Sequence, residues 1–341
     1  MLKRLFPLLL GPALAICLFP APAEAETIYA VTTTNVLLTF DSATPGTIAS
    51  SVAITGLVGG DAIVAIDLRP ATGQLYALSS GSRLYVINPV TGVATQVGSA
   101  GAFTLSGTRF GFDFNPTVDR IRVVSDANQN LRLNPNDGTL TATDTSVAFA
   151  VGDPNFGEDP FVTGVAYTNN FAGALTTTLY DIEGGNLALL IQNPPNSGTL
   201  NTVGAVGVNF VTDFVGFDIS GVSSVAYASL VLAGSPAGLY TINLATGAAT
   251  LVGGIGTAGV QDITVGVQGV GPTPTPTATA TVTPTSTATP TFTASPSPTT
   301  TLAPGGPAAN VPTLSGWLLA VLALAIATAG LFVIRGSSMA G

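Results

Sequence analysis

Apolar and polar residues alternate in short runs along most of this chain, the period-two pattern of strands that turn one face to a core. The pattern also repeats. RLYVINPVTGVATQVG, beginning at Arg83, returns as GLYTINLATGAATLVG from Gly238 with ten of its sixteen residues unchanged. Weaker copies begin at Leu37 (LLTFDSATPGTIASSVAITG), Leu131 (LRLNPNDGTLTATD) and Leu179 (LYDIEGGNLALLIQNPPNSGTLNTVG). Each predicts a hairpin: an alternating strand, an Asn or Asp opening a Gly-containing turn, and a second strand. Asn88, Asn134, Asn243 and Asp41 open these turns, because a short polar side chain bonds backbone N–H groups two residues on. Gly92, Gly138 and Gly247 supply the positive φ of the tight turn.

A second motif precedes the hairpins: VAIDLRPATGQLYALSS from Val64, FGFDFNPTVDRIRVVSD from Phe110, GVAYTNNFAGALTTTLYDI from Gly164 and VGFDISGVSSVAYASL from Val215. Their starts lie 46, 54 and 51 residues apart, the spacing of four-stranded propeller blades. Four complete units cover 63–254. One strand remains after them, VQDITVGV from Val260, and three before them, TIYAVTT, NVLLTFD and IASSVAITG. One plus three makes a fifth blade, which closes the ring and removes exposed sheet edges. The expected fold is therefore all-β, a five-bladed β-propeller closed by its N- and C-terminal strands. A β-sandwich also suits short strands with regular turns.

Composition adds the compartment. Residues 1–25 carry Lys3 and Arg4, an apolar run and Ala23-Glu24-Ala25, which predicts a signal peptide and hence signal peptidase as a processing partner. Cys17, the one cysteine, lies inside it in a poor lipoprotein context, and the chain has no histidine. A mature chain without either residue excludes disulfides, thiolate nucleophiles and ordinary zinc or haem sites. The repeat region, 27–271, has six basic residues, all arginine, and the whole chain has a formal net charge of −9, which argues against nucleic acid as a partner.

Residues 272–310 are almost wholly Thr, Pro, Ala and Ser and predict a disordered, semi-extended stalk. Beyond it, Trp317–Ile334 is apolar enough to predict a transmembrane helix, with Arg335 placing the short tail, 336–341, in the cytoplasm. VPTLSGW from Val311, the apolar run and Arg335 together resemble the IPTL-CTERM sorting signal of Gram-negative bacteria. That resemblance implies an exosortase-type processing enzyme as a partner and Pro312, Thr313 and Leu314 as its recognition residues within a segment spanning 311–335. The expected location is the bacterial envelope or cell surface.

The motifs GFDFNPTVDRIRVVSD, QNLRLNPNDG, AYTNN, LYDI and LYTINLATGAATLVG resemble the bacterial domain-of-unknown-function 4394 family across nearly the whole repeat region. The resemblance implies a secreted or surface propeller-like domain and no established activity.

Few residues offer chemistry. Asp67, Asp113 and Asp218 recur in the first strand of three units, where a propeller's central channel would gather them. Such carboxylates suit acid and base catalysis on a glycan, a calcium site, or hydrogen bonds that tie one blade to the next. Tyr167 interrupts the series. Arg109, Arg120, Arg122 and Arg132, interleaved with Asn115, Asn128 and Asn130, form an arginine and amide surface able to grip carboxylates or sugar hydroxyls. Strand alternation puts Arg120 and Arg122 on one face with Arg132 on the neighbouring strand, and Asp119 and Asp126 nearby as ion-pair partners. Asp153, Glu158 and Asp159 crowd the loop DPNFGEDP without calcium-loop spacing. No cofactor is expected, calcium being the one ion the acids suit. These features predict a binding or interaction module for a glycan or protein ligand. A carbohydrate-active hydrolase or lyase using the channel aspartates and a structural surface component are the alternatives.

Overall fold

The computed structural model describes residues 25–256 and 259–266. The expected leader, stalk, apolar segment and sorting residues lie outside them, and among the described residues no helix is long and apolar enough to cross a membrane.

The fold is a five-bladed β-propeller. Blade 1 begins with β1 (Thr27–Thr32), β2 (Val36–Asp41) and β3 (Ile48–Ala53). Blade 2 follows as β4 (Ile63–Leu68), β5 (Leu75–Ser79), β6 (Arg83–Ile87) and β7 (Ala94–Val97), and blade 3 as β8 (Phe110–Asn115), β9 (Arg120–Ser125), β10 (Asn130–Leu133) and β11 (Leu140–Thr143). Blade 4 has an extra strand, β12 (Ala148–Phe149), beside β13 (Val162–Tyr167), β14 (Leu179–Glu183), β15 (Ala188–Gln192) and β16 (Thr199–Ala205). Blade 5 is β17 (Phe210–Ile219), β18 (Ala226–Leu232), β19 (Ala237–Ile242) and β20 (Ala249–Gly254), and β21 (Val260–Val265) returns to pair with β1 and complete blade 1.

The turn chemistry works as the sequence implies. Asn88 Oδ1 accepts N–H bonds from Val90 (2.9 Å) and Thr91 (3.1 Å), Asn243 Oδ1 from Ala245 (2.9 Å), and Asp41 Oδ1 from Ala43 (2.7 Å). Gly92 at φ 73 and Gly247 at φ 82 close the same turns. Blade 4 departs from the pattern. LYDIE is its second strand, β14, and its outer hairpin is β15–β16, turned by a 3₁₀ helix at Pro195–Ser197 and by Gly198 at φ 63.

Strands β21, β4, β8, β13 and β17 form the inner ring, each touching the next. Both faces of each sheet are covered, so the core divides into five apolar clusters, one at each blade interface. The seam between blades 3 and 4 also buries Arg122, Asn130, Asp181 and Gln192.

Candidate functional site

Alternate residues of the inner strands face the axis. Asp67 on β4, Asp113 on β8 and Asp218 on β17 meet there, one carboxylate oxygen from each lying within 4.8 Å of the others. All three are 1% exposed. Asp67 Oδ2 accepts the Phe114 N–H at 2.8 Å, Asp113 Oδ1 the Tyr167 N–H at 3.2 Å, and Asp218 Oδ2 the Val265 N–H at 2.6 Å. Each acid thus holds the inner strand of the following blade one residue beyond its own ring position.

That register makes Ala166 and Thr264 the equivalent residues of blades 4 and 1. Thr264 Oγ1 accepts the Leu68 N–H at 3.3 Å and stands 2.9 Å from both Asp67 Oδ1 and Asp218 Oδ2. Ala166 has no polar side-chain atom to offer, and Asp113 Oδ2 has no hydrogen-bond partner among the described residues. Asp262, two residues before Thr264, adds a fourth buried acid, accepting the Ile66 and Ile263 N–H groups at 2.8 Å each. Neither Asp262 nor Thr264 stands out in the sequence, because VQDITV places its acid two residues out of step with the other blades.

Burial pushes Asp67, Asp113 and Asp262 well above the usual carboxylate range, and like charge adds to it: Asp218 beside Asp67, and Asp67 and Asp218 beside Asp113. Burial lifts Asp218 only to about 6, because backbone and side-chain donors favour its charged form.

The second constellation is a cleft of about 240 Å³ over blades 3 and 4, lined by Asn115, Arg120, Arg122, Arg132, Tyr167 and Asn196 among others. Arg122 and Arg132 are direct cross-strand partners on β9 and β10. Their like charges are tolerable because Asp144 lies between them, 2.7 Å from Arg122 Nη1 and 2.7 Å from Arg132 Nε. Burial works to raise the Asp144 carboxyl, but hydrogen bonds from Arg132 and Arg122 and their charges hold it below its ordinary value. Arg122 is only 2% exposed and is further fixed by Asn130 Oδ1 (2.6 Å), Asn196 Oδ1 (2.7 Å) and the Tyr167 hydroxyl (3.3 Å). Arg120 is different. It donates to the carbonyls of Asp119 and Val118 and makes no ion pair among the described residues.

Of the arginine and amide residues singled out from the sequence, Asn115, Arg120, Arg122 and Arg132 line this cleft, and Asn130 sits beneath it bonded to Arg122. Arg109 and Asn128 lie at the opposite end of β8 and β9, where Asn128 donates to Asp159 at 2.6 Å. Asp119 pairs with Arg69 of blade 2, and Asp126 accepts from Thr108, so neither neutralises the cleft. The true counter-ion, Asp144, ends the hairpin motif that begins at Leu131, and the wall residue Asn196 lies in the turn of the one that begins at Leu179, but neither motif marks them as neighbours of the arginines. Asp153 is occupied by Thr202 and Asn155, and the converging acid trio among the described residues is the axial one, not Asp153, Glu158 and Asp159.

Asp181 lies on the face of β14 that carries Leu179 and, diagonally across β15, Gln192. Both Asp181 carboxylate oxygens and Gln192 Oε1 lack partners among the described residues. Burial drives the Asp181 carboxyl well above its ordinary 3.8, with Arg122 pulling weakly the other way. A raised folded-state value means the stabilising contribution is complete below about 3.8 and is lost as pH rises toward the folded value. Asp181→Asn keeps the shape and removes the titration. Its unfolding free energy is expected to fall less steeply than the parent's above about pH 4, by up to about 1.4 kcal/mol per pH unit, in urea titrations from pH 4 to 8. Parallel pH profiles for the two proteins would refute this.

The profile of the family described as Domain of unknown function (DUF4394) matches residues 36–264. No curated protein matches the chain. Among solved structures, the chain is similar to the glutaminyl cyclase of Myxococcus xanthus, with 12% identity and a TM-score of 0.40 over 67% of this chain and 96% of that one. TolB from Acinetobacter baumannii gives 14% identity and a TM-score of 0.40 over 67% of this chain and 53% of its own. A chain of a nidogen–laminin complex gives 10% identity and a TM-score of 0.41 over 72% and 99%.

Proposed function

The chain belongs to the DUF4394 family, and we propose that it is an envelope-anchored, extracytoplasmic binding module whose cleft over blades 3 and 4 takes a carboxylate-bearing sugar. One observation carries this reading. Three arginines, Arg120, Arg122 and Arg132, line a cleft in which Asp144 is paired to the last two, so the site has an excess of positive charge in a chain of net charge −9. Guanidinium forks suit carboxylates, and the amides of Asn115 and Asn196 suit sugar hydroxyls. The volume is below the roughly 300 to 1,000 Å³ of drug-sized pockets, which favours a single sugar unit or the end of a chain.

The axial carboxylates support hydrolysis less well, because they are 1% exposed and their oxygens hold neighbouring blades together. The anchoring part of the proposal rests on the leader, the Thr/Pro stalk and the apolar segment with its Pro312-Thr313-Leu314 signal, read from the sequence. Signal peptidase and an exosortase-type enzyme are its processing partners in this reading.

The test is a thermal-shift titration of the purified protein with glucuronate and galacturonate against glucose and galactose. The uronates are expected to raise Tm and the neutral sugars not. Arg120→Ala should weaken uronate binding about tenfold or more, the loss of at least one charged hydrogen bond, with little change in stability. Equal shifts by neutral sugars, or an Arg120→Ala protein that binds as the parent does, would remove this reading. No shift with any sugar would favour a structural surface role.

A further inference from the structure

Independently of the cleft, we propose that the propeller axis holds one calcium ion, ligated by Asp67, Asp113 and Asp218 and by the side-chain oxygen of Asn170. The acids alone would not carry this, since each oxygen of Asp67 and Asp218 already accepts a backbone N–H. Two unsatisfied oxygens beside them do. The first is Asp113 Oδ2: Asp67 and Asp218 each accept the N–H of the residue that follows them, Leu68 and Ile219, whereas the Phe114 N–H goes to Asp67 and leaves this oxygen bare. The second is Asn170 Oδ1, on the loop that follows β13. Asn170 is 6% exposed and its side chain hydrogen-bonds Asp218, yet its Oδ1 has no partner among the described residues.

Both orphans are acceptors and both are buried, and a cation satisfies acceptors that no donor reaches. The charges that act on Asp113 are those of Asp67, Asp218 and Asp262, all of its own sign. Oxygen-only ligation selects a hard ion. Two oxygens across a calcium ion, each at about 2.4 Å, stand about 4.8 Å apart, so three carboxylate oxygens within 4.8 Å of one another can share one. Magnesium at about 2.1 Å, with its octahedral demand and reluctance to dehydrate, fits a closed site of this kind poorly.

The experiment is isothermal titration of the purified full chain, stripped with chelator, with calcium chloride and separately with magnesium chloride, in the absence of sugar. One calcium ion per chain is expected to bind, with magnesium at least tenfold weaker. Asp113→Asn should weaken calcium binding at least tenfold, and Asn170→Ala should weaken it several-fold, while Asp159→Asn leaves it unchanged. Circular dichroism shows whether each variant is folded. If Asp113→Asn does not fold, Asn170→Ala decides, and an unchanged affinity there overturns the proposal. So does the absence of saturable calcium binding up to about 10 mM, which lies above the weakest class of protein calcium sites. Calcium binding that is abolished by Asp159→Asn would move the ion to the DPNFGEDP loop and equally overturn it.

Discussion

Arg122→Ala is expected to lower the unfolding free energy by about 3 to 5 kcal/mol, the cost of breaking a buried ion pair by removing one partner. The side chain is 2% exposed, the largest among the fully buried ones, and its loss takes a donor from Asp144 Oδ2, Asn130 Oδ1 and Asn196 Oδ1 together, Asp144 keeping only its bonds from Arg132. Those three acceptors come from two blades, so the change loosens the seam as well as the cleft floor. At about 2 to 4 °C per kcal/mol for a domain of this size, Tm should fall by about 6 to 20 °C. Arg132→Ala is the control. It also pairs with Asp144 but is 30% exposed, and about 0 to 1 kcal/mol is expected. Urea denaturation of both variants checks the contrast. Equal losses would show that burial of the Arg122 pair is not what matters.

The hairpins were legible because their chemistry is local. Asn88 and Gly92 sit in one turn and need nothing from elsewhere. Ring closure was legible because one strand was left over at one end and three at the other, and β21 does pair with β1. Asp67, Asp113 and Asp218 could be singled out because each lies between apolar residues in a repeated strand. Their neighbours could not. The hydrogen bond from Leu68 to Thr264 spans 196 residues, and whether Thr264 or Asp262 occupies the ring position depends on how far β21 slides against β4 and β17. Strand alternation says which face a side chain takes but not how high the next blade stands. The same limit hid the cleft's counter-ion. Proximity in sequence suggested Asp119 and Asp126 for the arginines, but Arg69 of blade 2 captures the first and Thr108 the second. Asp144 wins because the chain leaving β11 crosses the arginine pair on its way to β12. Blade 4 misled for a further reason: QNPPNSG turns through a 3₁₀ helix and lacks the Asn-opened turn of the other hairpins.

Gly216→Ala and Gly111→Ala are expected to destabilise the propeller by at least about 1 to 3 kcal/mol each, the usual range for overpacking a filled core. These glycines lie two residues before Asp218 and Asp113, in a ring layer completed by Ala65, Gly164 and Asp262. A Cβ on Gly216 would stand 2.4 Å from the Ile263 backbone nitrogen, and one on Gly111 would stand 2.6 Å from that of Val165. Neither obstacle is a side chain that can swing away. Relief requires inner strands to separate, and that would stretch the very bonds that Asp218 and Asp113 make to Val265 and Tyr167. Gly164→Ala meets nothing nearer than the Cβ of Phe217, at 3.1 Å, and should cost clearly less. Denaturant midpoints for the three variants test the ranking. If all three fall together, the closeness of the inner strands is not what the glycines provide. If Gly216 and Gly111 alone are costly, strand separation at the axis is set by backbone contact in this layer, and the carboxylate ring one step along is held to hydrogen-bonding distance by it.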